Sequence, residues 1–287
     1  MSPKMKNFIV RAITGVLFVA IMVAGLLDPT AMIGLFALIT GLALWEYTGL
    51  VNNIENVCIN RFISTVAGVY LFVAIAGINS GIIQTNAVFV PYLLTVVYLF
   101  ISELYTRNAN AVNDWAYTML GQMYIALPLA CINVLAFRQQ PDGTISFYFL
   151  LPLSVYIFLW VNDTGAYLSG SLLGRHKLFP RISPGKSWEG SIGGGLLVLA
   201  VAALLGWWEN NHECLSGLSI IEWMGLGLVV VFFGTWGDLV ESLFKRTLGI
   251  KDSGSILPGH GGMLDRFDSS LMAIPASVIY IYSLTLL

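Results

Sequence analysis

Nine runs of mostly apolar residues follow one another along the chain, near 9–27, 30–49, 62–79, 84–102, 116–137, 147–170, 192–208, 219–244 and 270–287. Each approaches the roughly 20 residues that a helix needs to cross about 30 Å of hydrocarbon. Backbone inside lipid must satisfy its own hydrogen bonds, which leaves helices or closed barrels. No long strand-like alternation competes with these runs. The expectation is an all-α, polytopic integral membrane protein with about nine transmembrane helices. Composition agrees: 57% of the 287 residues are hydrophobic and only 10% are charged, too few charges for a soluble surface.

The charges that remain are unevenly placed. With the N-terminus inside, the inner segments hold Lys4, Lys6, Arg11, Arg61, Arg107, Arg175, Lys177, Arg181, Lys186, Lys245, Arg246, Lys251 and Arg266. The outer segments hold only Arg138, which completes the 14 Lys and Arg of the chain. This is the positive-inside pattern. It predicts a cytoplasmic N-terminus, cytoplasmic loops near 171–191 and 245–269, and an outer C-terminus. Lys4, Lys6 and Arg11 precede the first run as in a signal peptide, but no small-x-small cleavage site follows, so an uncleaved first helix is expected. Cys58, Cys131 and Cys214 form no C-x-x-C pair, which argues against a disulfide framework or a zinc site. A net charge of -2 gives no sign of nucleic-acid binding.

Polar chemistry is concentrated in the C-terminal half. The economical reading is one membrane domain, 1–287, with scaffold helices in 1–140 and the catalytic helices and loops in 141–287. The stretch 242–268, SLFKRTLGIKDSGSILPGHGGMLDRFD, packs Lys245, Arg246, Lys251, Asp252, His260, Asp265, Arg266 and Asp268 around Gly259, Gly261 and Gly262. Glycines let backbone approach a ligand closely, and cations beside exposed amides make a phosphate site. Carboxylates at such a site suit Mg²⁺, which takes one or two of them plus substrate phosphates. Upstream, Asp238, Glu241, Ser242 and Lys245 share one helix face by their i, i+3, i+4, i+7 spacing. Asp238 is then either a metal ligand facing a polar cavity or an interfacial carboxylate paired with Lys245.

Two further stretches are polar. WVNDTGAYLSGSLLGRHK puts Asn162 and Asp163 one turn from Tyr167, with Gly165, Gly170 and Gly174 permitting close helix packing. In RISPGKSWEGSIGGG, Gly185-Lys186-Ser187 imitates a P-loop, but Pro180 stands where the pattern needs glycine and no βαβ unit surrounds it. Lys186 can still meet phosphate as a point charge.

The run from Ser242 to Asp268 resembles the signature of the phosphatidate cytidylyltransferases, or CDP-diacylglycerol synthases. The fixed positions are met at Ser242, Lys245, Arg246, Lys251, Asp252, Gly254, Pro258, His260, Gly261, Gly262, Asp265, Arg266 and Asp268. The Asn162-Asp163 region and the run from Ser183 to Gly190 are also similar to the family, with Ser187 where threonine is more frequent. The likeness is specific over about 160–270 and only hydropathic before that.

The resemblance implies transfer of CMP from CTP to phosphatidic acid, giving CDP-diacylglycerol and pyrophosphate, in an integral membrane homodimer of a bacterial inner membrane. It implies Asp238 and Asp265 as ligands of Mg²⁺, with a second, monovalent ion such as K⁺ as an option. Lys251, Asp252 and His260 join them at the reaction centre. Asn162, Asp163, Lys186, Ser187, Glu241, Ser242, Lys245, Arg246, Arg266 and Asp268 are the expected substrate contacts. Bottom-up chemistry agrees: a phosphate monoester, with a second pKa of about 6, is already ionised at neutral pH and needs no base. The remaining task is to neutralise and align two anions. An ion-coupled transporter would instead place charges mid-membrane. A CTP-dependent lipid kinase would attack a different phosphorus.

Overall fold

The computed structural model describes residues 3–106, 110–140, 142–212, 216–256 and 261–285, with side chains from 12 to 284. In chain order the helices are α1 (Pro3–Leu26), α2 (Pro29–Val51), α3 (Arg61–Asn79), α4 (Val90–Ser102), α5 (Ala111–Gly121), α6 (Leu127–Ala130), α7 (Ile132–Ala136), α8 (Leu150–Leu173), α9 (Trp188–Asn211), α10 (Ile220–Thr247), α11 (Leu264–Phe267) and α12 (Ser270–Thr285). The protein is a polytopic, predominantly helical membrane protein. Its large apolar side chains point outward as well as inward, among them Val16, Leu94, Leu196, Ile221 and Ile279. Such a surface suits lipid, not water.

All nine apolar runs fall on helical segments, yet the count of nine spans is not reproduced as such. Among the described residues, six segments are both long and apolar enough to cross: Pro29–Val51, Arg61–Asn79, Ala111–Ala136, Trp188–Asn211, Ile220–Thr247 and Leu264–Leu284. Ala12–Leu26, the part of α1 whose side chains are described, and Asn86–Ser102 are apolar over shorter lengths. Helix α8 has the length, 24 residues, but its Asn, Asp, Ser and Gly residues keep it out of the six.

Local sequence explains the helix ends. Asp28 accepts from the Ala31 amide at 2.8 Å and Pro29 follows at the first position of α2, the expected capping chemistry. Asn60 caps α3 in the same way. Before Pro128 the helix of α5 slips into a π turn over Gln122–Ala126, as proline removes a donor and clashes with the preceding turn.

Two short antiparallel hairpins were not expected. β1 (Phe137–Gln139) pairs with β2 (Ile145–Phe147), and β3 (Lys177–Phe179) with β4 (Ser183–Ser187). In the second, Phe179 and Ser183 each precede a proline, which drives them into extended backbone.

The chain divides into two compact units, Met1–Phe149 with Leu248–Phe267, and Leu150–Thr247 with Asp268–Leu287. In the first, Phe36, Leu44, Tyr47, Phe72 and Ile125 are fully buried. The Tyr47 hydroxyl donates to the Tyr117 carbonyl at 2.9 Å, and the Gln122 amide to the Ser64 carbonyl at 2.8 Å. Phe267 lies edge-on to Phe18 and Phe36, with ring centroids 6.0 and 6.3 Å away, and so docks α11 within this unit.

In the second unit α8 packs along α9, α9 along α10, and α10 along α12. The α8–α9 seam is made of small residues. A Cβ on Gly165 would lie 3.0 Å from the Gly194 Cα, and one on Gly190 would lie 2.9 Å from the Ala166 carbonyl oxygen. This is the close helix approach that small residues allow in membranes.

Candidate active site

In the second unit, one polar cavity of about 190 Å³ gathers Asn162, Asp163 and Tyr167 from α8, Lys186 and Ser187 from the end of β4, and Thr235 from α10. Four of the expected substrate contacts, Asn162, Asp163, Lys186 and Ser187, therefore meet at one place. Helix α8 brings its polar turn there because Gly165 and Gly170 let it lie against α9. The β3–β4 hairpin swings Lys186 back over the same spot.

Each side chain has a distinct setting. Asn162 is buried, and its Oδ1 has no hydrogen-bond donor among the described residues. Gly194 makes room for it, since a Cβ there would come within 2.5 Å of that oxygen. A buried acceptor left open beside a cavity is costly unless a ligand or water fills it. Asp163 is exposed and lines the cavity. Ser187 is buried and caps α9, accepting from the Gly190 amide at 3.1 Å. Helix α9 thus starts earlier than the apolar run indicates, and Trp188, Glu189 and Gly190 belong to it.

Asp238 stands on α10, and its Oδ2 lies 2.5 Å from Lys186 Nζ. Ser242 donates to its Oδ1 at 3.1 Å. Both members of the ion pair are about a quarter exposed. The alternative pairing of Asp238 with Lys245 is therefore corrected. Lys245 instead holds Glu241 at 2.5 Å, one helical turn away. Glu241 is wholly buried. Asp268, half-buried at the start of the α12 segment, feels the charges of Asp238, Lys245 and Asp163. Arg246 is exposed.

The rest of the signature lies in the first unit. Lys251, Asp252 and Arg266 are exposed. Asp265 is 9% exposed, and its Oδ2 accepts from the amides of Ser253 and Gly262, both at 2.8 Å. Gly261 adopts a φ of +81°, and a Cβ there would meet the same carboxylate oxygen at 2.5 Å. His260 and Pro258 lie outside the described residues.

One contributor was missed in the sequence. Glu46 of α2, in a run read as scaffold, is 7% exposed, and its Oε2 accepts from the Leu264 amide at 2.9 Å and from the Ser253 hydroxyl at 3.2 Å. A lone acid in an apolar run was the available signal.

Beside the polar cavity runs an apolar groove of about 340 Å³ between α9 and α10, lined by Ile192, Leu196, Leu199, Leu228, Val231 and Phe232. The two share Ser191 and Thr235 on their walls.

The sequence model described as the Cytidylyltransferase family matches residues 8–284. A phosphatidate cytidylyltransferase of Staphylococcus aureus (strain COL) is 32% identical over 267 residues, covering 93% of this chain and 96% of that protein. One of Haemophilus influenzae (strain ATCC 51907 / DSM 11121 / KW20 / Rd) is 33% identical over 255 residues, covering 84% and 87%.

Proposed function

Because the chain belongs to the cytidylyltransferase family, we propose a working arrangement of its residues for nucleotidyl transfer in a membrane. The enzyme is a nucleotidyltransferase that joins CMP from CTP to phosphatidic acid, releasing pyrophosphate and giving CDP-diacylglycerol. The observation that carries the residue assignment is the meeting of Asn162, Asp163, Lys186 and Ser187 in one polar cavity, with Lys186 bonded to Asp238.

In this reading Lys186 and Asn162 hold the phosphates or the cytidine of CTP, and Lys186 exchanges its bond to Asp238 for a phosphate oxygen. Ser242 keeps Asp238 oriented throughout. Lys245, Arg246, Lys251 and Arg266 are assigned to the charge of the phosphatidate head group and of the leaving pyrophosphate. Asp252, Asp268 and His260 complete the signature's polar set. The apolar groove next to the cavity suits the acyl chains of a substrate that stays in lipid.

Asp238 and Asp265 are the residues that would hold Mg²⁺. The chemistry around Asp238 suits a hard cation: its carboxylate is paired with Lys186, and Asp268 feels the charges of Asp238, Lys245 and Asp163. Mg²⁺ takes one or two protein carboxylates and is completed by substrate phosphates and water. When bound, it would neutralise phosphate charge. A monovalent second ion, a homodimer, a cytoplasmic N-terminus with cytoplasmic 171–191 and 245–269 loops, and an outer C-terminus belong to the same reading.

The test is product analysis with purified protein, phosphatidic acid, Mg²⁺ and CTP labelled at either the α or the γ phosphate. Label from the α position is expected in a CDP-lipid. Label from the γ position in the lipid would mean a kinase instead. No CDP-lipid from Lys186→Ala, in a protein that still folds, would support the cavity as the site.

A further inference from the structure

Glycines in the signature were expected to let backbone approach a ligand. Two of them instead lie against a carboxylate of the protein's own N-terminal half. A Cβ on Gly254 would come within 2.6 Å of Glu46 Oε1, and one on Gly262 within 2.5 Å of Glu46 Oε2. Glu46 reaches the loop from α2 and binds it at two points, the Ser253 hydroxyl and the Leu264 amide. Asp265 grips the same turn from within, at the Ser253 and Gly262 amides. Ser253 is thus held by both carboxylates, its amide by Asp265 and its hydroxyl by Glu46.

We propose that Glu46 is a positioning residue for the transfer reaction, which sets the backbone that presents Asp265 and Arg266 through its bonds to Ser253 and Leu264. The inference rests on the signature loop being part of the active site.

Packing alone does not account for an acid at this position. Glu46 Oε1 is buried and has no hydrogen-bond donor among the described residues. Glu209 of α9, equally buried, has its Oε1 bonded by the Ser216 amide and its Oε2 by the Trp223 indole. Glu209 is a closed structural knot, whereas Glu46 leaves one oxygen open at the loop. An apolar side chain at 46 would avoid that desolvation cost. The carboxylate is explained by the loop that it holds.

The experiment compares kcat, KM for CTP and thermal midpoint in purified Glu46→Ala, Glu46→Gln and Leu44→Ala proteins. Leu44 is a fully buried neighbour on the same helix, so its truncation controls for simple destabilisation. Glu46→Ala is expected to lower kcat by about 100-fold, the scale of a small misplacement of reacting groups, with KM for CTP changed far less. Glu46→Gln keeps an acceptor for Leu264 and Ser253 and is expected to restore most of the lost turnover. Unchanged kcat in Glu46→Ala, or a loss no larger than in Leu44→Ala, would overturn the proposal. Lys251→Ala and Asp265→Asn separate the two layers. If both retain full turnover, the loop is not the site and the proposal falls with it. If they lose turnover and Glu46→Ala does not, the proposal alone falls.

Discussion

Lys186 and Asp238 form an ion pair of 2.5 Å that ties the β3–β4 hairpin to α10. The pair sits at the cavity where the expected substrate contacts meet, so each partner has its charge balanced before any phosphate arrives. Removing one partner leaves the other uncompensated. Asp238→Asn is expected to lower turnover by about 100-fold or more, the typical loss when one preorganised electrostatic group is removed, and to weaken the dependence on Mg²⁺. Asn preserves the Ser242 bond, so the melting temperature is expected to change little. Full activity with an unchanged Mg²⁺ titration would remove Asp238 from the metal site, and the same measurement on Asp265→Asn tests its partner.

The α8–α9 seam yields a steric prediction. Gly194→Ala would press its new methyl against Asn162 Oδ1 and the Asn162 carbonyl, 2.5 and 2.8 Å from the ideal Cβ. Overpacking of this kind costs about 1–3 kcal/mol, and here it also displaces a cavity residue. A lower thermal midpoint with a raised KM for CTP is expected. Gly185→Ala, at a position with nothing within 4 Å, is the matched control and is expected to fold as the parent does.

Ser187 joins two roles that substitution can separate. Ser187→Ala removes the cap of α9 and is expected to cost about 1 kcal/mol of stability. Ser187→Thr keeps both cap and hydroxyl and is expected to retain midpoint and activity. If Ser187→Ala lowers stability but leaves KM for CTP untouched, the hydroxyl is a cap and not a substrate contact.

The nucleophile supplies a pH prediction. Phosphatidate ionises fully above a second pKa of about 6, so turnover is expected to fall as pH drops through that value. The protonated oxygen is the weaker nucleophile, which fixes the sign. A His260→Gln variant is expected to keep the same acid limb. Loss of that limb in the variant would assign it to the histidine.

Orientation is open to labelling. In a cysteine-free background, single cysteines at 177 and 251 are expected to react only after the inner face is exposed. A cysteine at 138 is expected to react from outside. External labelling at 251 would reverse the proposed topology.

Much of this molecule could be read from its residues, but unevenly. The apolar runs located the helices, because the roughly 20-residue requirement of a bilayer leaves few alternatives. Asn162, Asp163, Lys186 and Ser187 were recognisable as polar residues in a lipid-compatible chain. The pairing of Lys186 with Asp238 was not, since it joins residues far apart in the sequence. Lys245 tempted as a partner by helical spacing, although Glu241 stands one turn from it. The β3–β4 hairpin escaped notice because Ser183-Pro184-Gly185-Lys186-Ser187 has no apolar alternation. Glu46 was hidden by averaging, as one acid hardly lowers the hydropathy of a 23-residue helix.

Helix α8 carries the polar residues that line the cavity and falls short of the apolarity of a self-sufficient span. During synthesis, a segment with Asn and Asp near its middle partitions poorly from the translocon on its own. The glycine seam with α9 offers the remedy: the two segments can enter the bilayer together as a helical hairpin, each lowering the cost of the other. Biogenesis of the cavity would then be a property of the pair, and a bulky replacement at Gly165, whose Cβ would lie 3.0 Å from the Gly194 Cα, would appear as lowered insertion during translation, distinct from the milder packing loss expected of Gly194→Ala.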